Sequence, residues 1–341
     1  MRDTPVFKFA SDQTPFAEQG RKVVELLRDK KTDDEEMQAV LTEIESLANE
    51  QGSDANTAST DAFVTAVCQV GCKSMSHVLA TIDRTKGRLL AVGPAEVKRQ
   101  IISSVTEFWV DQPGTAVDII DKLLNYTIVT PMSVIEWALH DHLDKGKSLS
   151  LNWVYELVSN TMTKVTNRVR QIAMARIDAH LPADQKHIVD ETLARERQSM
   201  RELFAAIDDA VSGIATGAED GMIESYDDGN MEPALLQSWG KRWLNTWRRK
   251  SAVEEAVVGD SAVAASAELA AKNAEREAAD AQRDAEEAEQ EAQQKVKDDE
   301  AAAATAAADA ARAETQANAG KVEQNGDGEM KDEAMDEADG V

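Results

Sequence analysis

Apolar side chains recur at steps of three and four residues throughout residues 94–177, the stretch around which the rest of the chain is organised. In its first segment they are Val97, Ile101, Val105, Phe108 and Trp109, which share one face of a helix. A proline opens each of three segments, at 94, 113 and 131, where its fixed φ suits the first helical turn and its missing N–H costs no hydrogen bond. The stretch therefore predicts four consecutive amphipathic helices.

The chain before this stretch predicts two helical pairs after an extended lead-in over residues 1–13. Pro15 starts a helix over residues 15–30, and Thr32 with Glu35 forms a capping box for the next one. The residues from Gln51 to Thr60 are rich in Gly, Ser, Asn and Thr, so we expect a loop there. A second pair follows over residues 61–73 and 75–92.

Three longer apolar stripes follow, and they predict helices over residues 151–178, 184–216 and 232–257. The last carries Trp239, Trp243 and Trp247 at steps of four. An aromatic stripe at helical spacing is more often core than a nucleic-acid surface, so we interpret these indoles as packing against the end of the array. A base-stacking surface bordered by basic residues is the alternative.

No segment alternates apolar and polar residues for long enough to predict a strand, so the fold class is all-α. Each helical pair is too thin to bury its own apolar face, and its neighbours must cover it. The sequence thus predicts an α-solenoid, a helical-repeat array of antiparallel hairpins that ends in a long helical pair. Such arrays present extended surfaces to other macromolecules.

The composition changes near residue 258. From Ser261 onward there are 22 acidic and 8 basic residues, a net charge of −14 out of −26 for all 341 residues. We therefore predict a helical-repeat domain over residues 1–257 and an Ala-rich acidic low-complexity tail over residues 258–341. Residues 262–316 are expected to be transiently helical, and residues 317–341 disordered. Large aliphatic residues are too sparse in the tail for a coiled-coil seam.

Several classes of protein are disfavoured by the sequence. No run of about 18 apolar residues is present to span a bilayer, and the first residues lack a signal peptide's apolar stretch. We therefore expect a soluble intracellular protein without membrane contact. The acidic balance opposes a broad phosphate-binding surface, although a local basic patch remains compatible with it. Two cysteines provide no disulfide framework.

The chain contains only weak matches to catalytic or ligand-binding motifs. Cys68 and Cys72 are one helical turn apart but lack a second ligand pair, so they are interpreted as core or half-buried residues. His140 and His142 point to different helix faces. Residues 146–148 read Gly-Lys-Ser like the end of a phosphate-binding loop, yet no strand precedes them, and a helix start is favoured. The sequence predicts no catalytic residue, cofactor or metal, and no small-molecule substrate.

Basic side chains beside two of the apolar stripes are the candidate contacts for a partner or RNA. One group flanks the stripe of the helix over residues 151–178, and the other borders the tryptophans. The alternative is that these side chains only form a solvated rim beside the stripes and contact no partner. The candidates are Lys164, Arg168, Arg170, Lys241, Arg242, Arg248 and Arg249.

Five segments in order carry a resemblance to a known family. The match covers residues 5 to about 257, and the segments are SMSHVLATIDRTKGRLLAV, KRQIISSVTEFWVDQPGTAVDIIDKLLNYTIVTPMSVIEWAL, VYELVSNTMTKVTNRVRQI, ETLARERQSMRELF and SWGKRWLNTWRRK. They closely resemble the large subunit of the nuclear cap-binding complex in its fungal form. Only the third and last helical domain of that family is matched; the first two have no counterpart here, and the Ala-rich acidic tail departs from the family.

The resemblance implies a non-enzymatic nuclear scaffold, with shuttling to the cytoplasm left open. Its partner would be a small RNA-recognition-motif subunit that stacks the 7-methylguanosine cap of mRNA between aromatic rings. The large subunit holds that partner in its high-affinity form and connects it to mRNA processing, export and decay. Capped mRNA would therefore be contacted through the small subunit, and no cap-stacking residue carries over to this chain.

Two alternatives stay open. One is a different helical-repeat scaffold of RNA metabolism or translation initiation, without a role in the cap complex. The other is an enzyme whose polar site is assembled across the array from residues that spacing does not pair. Co-purification of a small cap-binding subunit would separate the first alternative from the resemblance, and a deep pocket with shifted pKa values would favour the second.

Overall fold

The computed structural model describes residues 5–29, 34–177, 182–217 and 233–325, without the side chains of 183, 184 and 317–325. These residues form eleven α-helices and no strand, which confirms the all-α prediction. The helices are α1 (Ala17–Arg28), α2 (Asp34–Glu50), α3 (Ala55–Gly71), α4 (Met75–Leu90), α5 (Ala95–Phe108), α6 (Pro113–Asn125), α7 (Pro131–Glu136), α8 (Asn152–Arg176), α9 (Ala183–Thr216), α10 (Pro233–Val258) and α11 (Asp260–Asn325).

Helices pack mainly on neighbours along the chain, as a helical-repeat array requires. The central helix of the first half is α3, which contacts α1, α2, α4 and α5; further on, α8 contacts α6, α7 and α9, and α9 contacts α10. One continuous apolar core runs from Phe9 to Val258. The front of α9 lies along α8, where Arg176 Nε is 2.9 Å from Asp190 Oδ1. The array predicted from the apolar stripes is thus confirmed.

The helix starts agree with the proline pattern, with local differences. Pro113 and Pro131 occupy first-turn positions of α6 and α7, whereas Pro94 is the residue before α5. A capping box is present at α7, where Thr130 Oγ1 accepts from Ser133 N at 3.1 Å and Ser133 Oγ accepts from Thr130 N at 2.9 Å. The predicted box at Thr32 lies outside the described residues.

The loop expected over residues 51–60 is wrong in its second half. Helix α3 begins at Ala55 because Asp54 caps it: the carboxylate accepts a hydrogen bond from Thr57 N at 2.6 Å. Ser59 and Thr60 are buried within this helix. Their hydroxyl-rich composition resembles a loop, but the tertiary packing of α3 overrides that local signal.

The chain divides into two compact units, Met1–Glu268 and Leu269–Val341. The division at residue 257 that composition suggests remains a prediction. Helix α11 continues to Asn325, so the expectation of disorder over residues 317–325 is wrong: five of these nine residues are Ala, Lys, Glu or Gln, which favour a helix, and Gly320 does not interrupt it. The remaining tail, residues 326–341, lies outside the described part. Leu269 and Val296 are exposed on α11.

Candidate protein-binding surfaces

The tryptophans of α10 hold the end of the array together. Trp243 and Trp247 are buried, and the Trp243 indole donates a hydrogen bond from Nε1 to Leu149 O at 2.9 Å. Tyr155 of α8 meets the Trp243 ring edge-on, with centroids 5.4 Å apart. Trp239 is only half-buried, and the Arg242 guanidinium lies 5.3 Å from its ring centroid. Two of the three indoles therefore belong to the core and are closed to base stacking.

The three basic candidates on α8 each pair with an acidic side chain of another helix. Lys164 Nζ lies 3.1 Å from Asp121 Oδ1 on α6, and Arg168 Nη2 lies 3.1 Å from Glu196 Oε1 on α9. The third candidate, Arg170, binds the nearly buried Glu254 of α10 through two hydrogen bonds, of 3.0 Å from Nε and 2.5 Å from Nη2. These pairs join α8 to its neighbours and partly neutralise the charge that a phosphate would need.

The basic residues of α10 divide into two sets. Arg248 forks onto Asp208 of α9 with distances of 2.5 and 2.9 Å, and this hydrogen bonding lowers the pKa of the Asp208 carboxyl below its ordinary value. Lys241 and Arg249 are exposed, and no described residue forms an ion pair with either. Together with Arg242 they leave α10 with a small basic face. The role of the seven candidates in binding a partner or RNA remains a prediction.

Sequence reasoning missed an aromatic cluster beside an irregular helix. Helix α7 continues as a π-helical turn, Trp137–Asp141, closed by a hydrogen bond from His142 N to Trp137 O at 2.8 Å. This closure stacks the His142 and Trp137 rings, with centroids 4.8 Å apart and planes 9° apart; at about 100° per residue, an α-helix would turn positions five apart away from each other. The ring centroid of Trp153 from α8 lies 5.2 Å from that of His142. No sequence signal for this turn was recognised.

The remaining candidates behave as packing residues. Cys68 is buried and Cys72 is half-buried, and no group of three His, Cys, Asp or Glu side chains among the described residues could hold a metal. Residues 146–148 lie in a 3-10 turn before α8, where Gly146 has φ of 94° and the Ser148 hydroxyl bonds to His142 O. They form neither a phosphate-binding loop nor the helix start itself. None of the described helices is both long and apolar enough to cross a membrane.

Stacked helices with a continuous core and paired charges define a helical-repeat protein of the kind that presents surfaces to other macromolecules. The family model described as MIF4G like matches residues 7–256. That match covers most of the chain, so the chain belongs to the MIF4G-like family.

Three relatives share the name nuclear cap-binding protein subunit 1. The one from Schizosaccharomyces pombe is 25% identical over 195 residues, which cover 55% of this chain and 24% of the relative. The one from Aedes aegypti is 28% identical over 189 residues, with 51% and 22% covered. The one from Anopheles gambiae is 28% identical over 114 residues, with 33% and 14% covered. The chain therefore spans no more than about a quarter of these relatives.

Proposed function

We propose that this chain is a non-enzymatic scaffold of a nuclear cap-binding complex. It supports a small RNA-recognition-motif subunit that binds the 7-methylguanosine cap and links that subunit to mRNA processing and export. The observation that carries the proposal is the MIF4G-like match over residues 7–256, together with relatives named as subunit 1 of the nuclear cap-binding protein. A nuclear location follows from the same names.

The distribution of charge supports a protein partner as the direct contact and RNA as an indirect one. Five of the seven candidate basic side chains are already engaged, four in ion pairs and Arg242 on the Trp239 ring. Among the described residues, Lys241 and Arg249 of α10 form no ion pair, and Arg242, which keeps its full charge beside the Trp239 ring, completes a basic face of three cations. Contact of three cations with phosphates releases too few counterions from RNA for tight binding at physiological salt. A face of this size suits an acidic patch on a protein.

The test is a pull-down of the tagged full-length chain with the purified small subunit, with and without a 7-methylguanosine-capped RNA oligonucleotide. We expect the small subunit to be retained in both conditions, and the capped RNA to be retained only when the small subunit is present. Loss of both would remove the proposal. Direct retention of RNA without the small subunit would favour the alternative, another helical-repeat scaffold of RNA metabolism or translation initiation.

A charge-reversal variant locates the contact. The triple change Lys241→Glu, Arg242→Glu and Arg249→Glu should weaken retention of the small subunit and flatten its dependence on salt. The matched control reverses three exposed basic residues elsewhere, Lys73, Lys186 and Arg195, and alters net charge equally. Equal loss in both variants would indicate a nonspecific charge effect and would remove the α10 face from the proposal.

A further inference from the structure

A pocket of about 450 Å³ lies where the end of α5, the start of α6, the π-helical turn and the start of α8 meet. Its walls are mainly apolar, from Val110, Pro113, Trp137, His142, Leu151 and Trp153. We call this feature the α5–α8 pocket. It lies within the first compact unit, and helix α10, which carries the basic face, does not line it.

Apolar surface at the mouth of the α5–α8 pocket is left uncovered. Val110 is 69% exposed and Leu151 is 39% exposed, although both sit beside the buried Trp109 and Leu149. Trp153 is half-buried. Single exposed apolar side chains are ordinary, but exposed ones that rim a concave apolar pocket are typical of a docking site.

The charge at the mouth is negative. Two ion clusters border the pocket, and each contains one cation and two carboxylates, so each has a net charge of −1: Lys8 with Asp61 and Glu107, and Arg99 with Glu136 and Asp141. Glu107 and Asp141 line the pocket itself, and their side chains are 59% and 43% exposed. Burial lowers the pKa of His142, so this ring adds no positive charge at neutral pH.

We propose that the α5–α8 pocket docks a short segment of a partner protein in which an apolar or aromatic side chain fills the pocket and a nearby Lys or Arg lies against Glu107 and Asp141. Its partner chemistry follows from the apolar walls and the acidic mouth. A nucleic-acid strand is disfavoured because the carboxylates repel phosphate. A base cannot enter between Trp137 and His142 either, since those rings are already stacked on each other.

The inference does not depend on the cap-complex function and can fail separately from it. The probe is a random library of peptides of about twelve residues, displayed on their encoding mRNA and selected on the full-length chain. We expect the enriched peptides to place a Lys or Arg within a few residues of an apolar or aromatic anchor. Selection of peptides without basic residues, or of none above background, would overturn the proposal.

Two exposed valines give a matched test of location. Val110→Lys adds a positive charge at the pocket mouth, and Val257→Lys adds the same charge on α10, where the valine is 51% exposed. Fluorescence anisotropy with an enriched peptide should show affinity lowered by about tenfold or more in Val110→Lys and unchanged in Val257→Lys. Replacing the peptide's Lys or Arg by Glu should produce a comparable loss on the wild-type chain. Equal affinity for both protein variants would refute this location.

Two other occupants have their own signatures. A second copy of the chain would appear in sedimentation as a dimer that Val110→Lys dissociates. A capped nucleotide would appear as quenching of tryptophan fluorescence by 7-methyl-GTP that Trp153→Ala abolishes and Val257→Lys leaves intact. Either result would replace the peptide as the occupant and overturn the proposal.

Discussion

Replacement of Gly240 by alanine tests whether the α9–α10 contact depends on close approach of the two helices. A Cβ built at Gly240 lies 2.8 Å from Ala215 N and 3.0 Å from both Ala215 Cα and Ile214 Cγ2. Two of these atoms are backbone and cannot rotate away, so the helices must separate. Overpacking of this kind costs about 3 kcal/mol at the upper end, while the better helix propensity of alanine returns about 1 kcal/mol.

The expected result is a net destabilisation of about 2 kcal/mol, or a melting temperature lower by roughly 5 °C. Intrinsic tryptophan fluorescence is the assay, because all six tryptophans lie between Trp109 and Trp247 and the signal excludes α11 beyond residue 268. The control is Gly87→Ala in α4, where an added Cβ meets nothing within 4 Å. It should raise the melting temperature by about 2 °C through helix propensity alone. A Gly240→Ala variant as stable as Gly87→Ala would refute the reasoning.

Three further predictions concern buried groups. Burial lowers the pKa of His142, so the unfolded chain binds the proton first as pH falls below about 6.5. The free energy of unfolding should therefore decline toward pH 5. In denaturant titrations at several pH values, His142→Phe should show a weaker dependence of this free energy on pH. Burial raises the pKa of the Cys68 thiol to about 12, so a thiol reagent at pH 8 should label only Cys72 in the native chain and both cysteines in denaturant. Arg170→Met should destabilise by about 1 to 2 kcal/mol because it leaves the Glu254 carboxylate buried without its partner, and Glu254→Gln added to it should recover part of the loss in a double-mutant cycle.

The apolar stripes predicted most of the fold because they indicate which face of each helix is buried. The long stripe through Val154, Leu157 and Val158 predicted α8 within two residues at either end, since a long periodic segment leaves little freedom in its assignment. Local signals were weaker. Asp54 acts as an N-cap through one hydrogen bond, and nothing in its neighbours distinguishes it from the loop residues around it.

The candidate surfaces were harder to predict because they depend on pairs that are far apart in sequence. Arg170 and Glu254 are separated by 84 positions, and only the packed structure shows that they neutralise each other. The stack of Trp137 on His142 depends on a π-helical turn, for which helical periodicity gives no expectation. Spacing rules assign side chains to faces of regular helices, so they cannot anticipate a feature that changes the spacing itself.

Pairing within the array also decides where a partner can bind. A cation already held by a buried carboxylate, as Arg170 is by Glu254, stabilises the array but gains little from a second acidic partner. The surfaces that keep an uncompensated net charge are the basic face of α10 and the mouth of the α5–α8 pocket, where each of two ion clusters keeps a net charge of −1. We therefore expect two partners, or two segments of one partner, with opposite charge to fit this helical array. A variant that reverses the α10 face should leave peptide binding at Val110 intact, and Val110→Lys should leave retention of the small subunit intact.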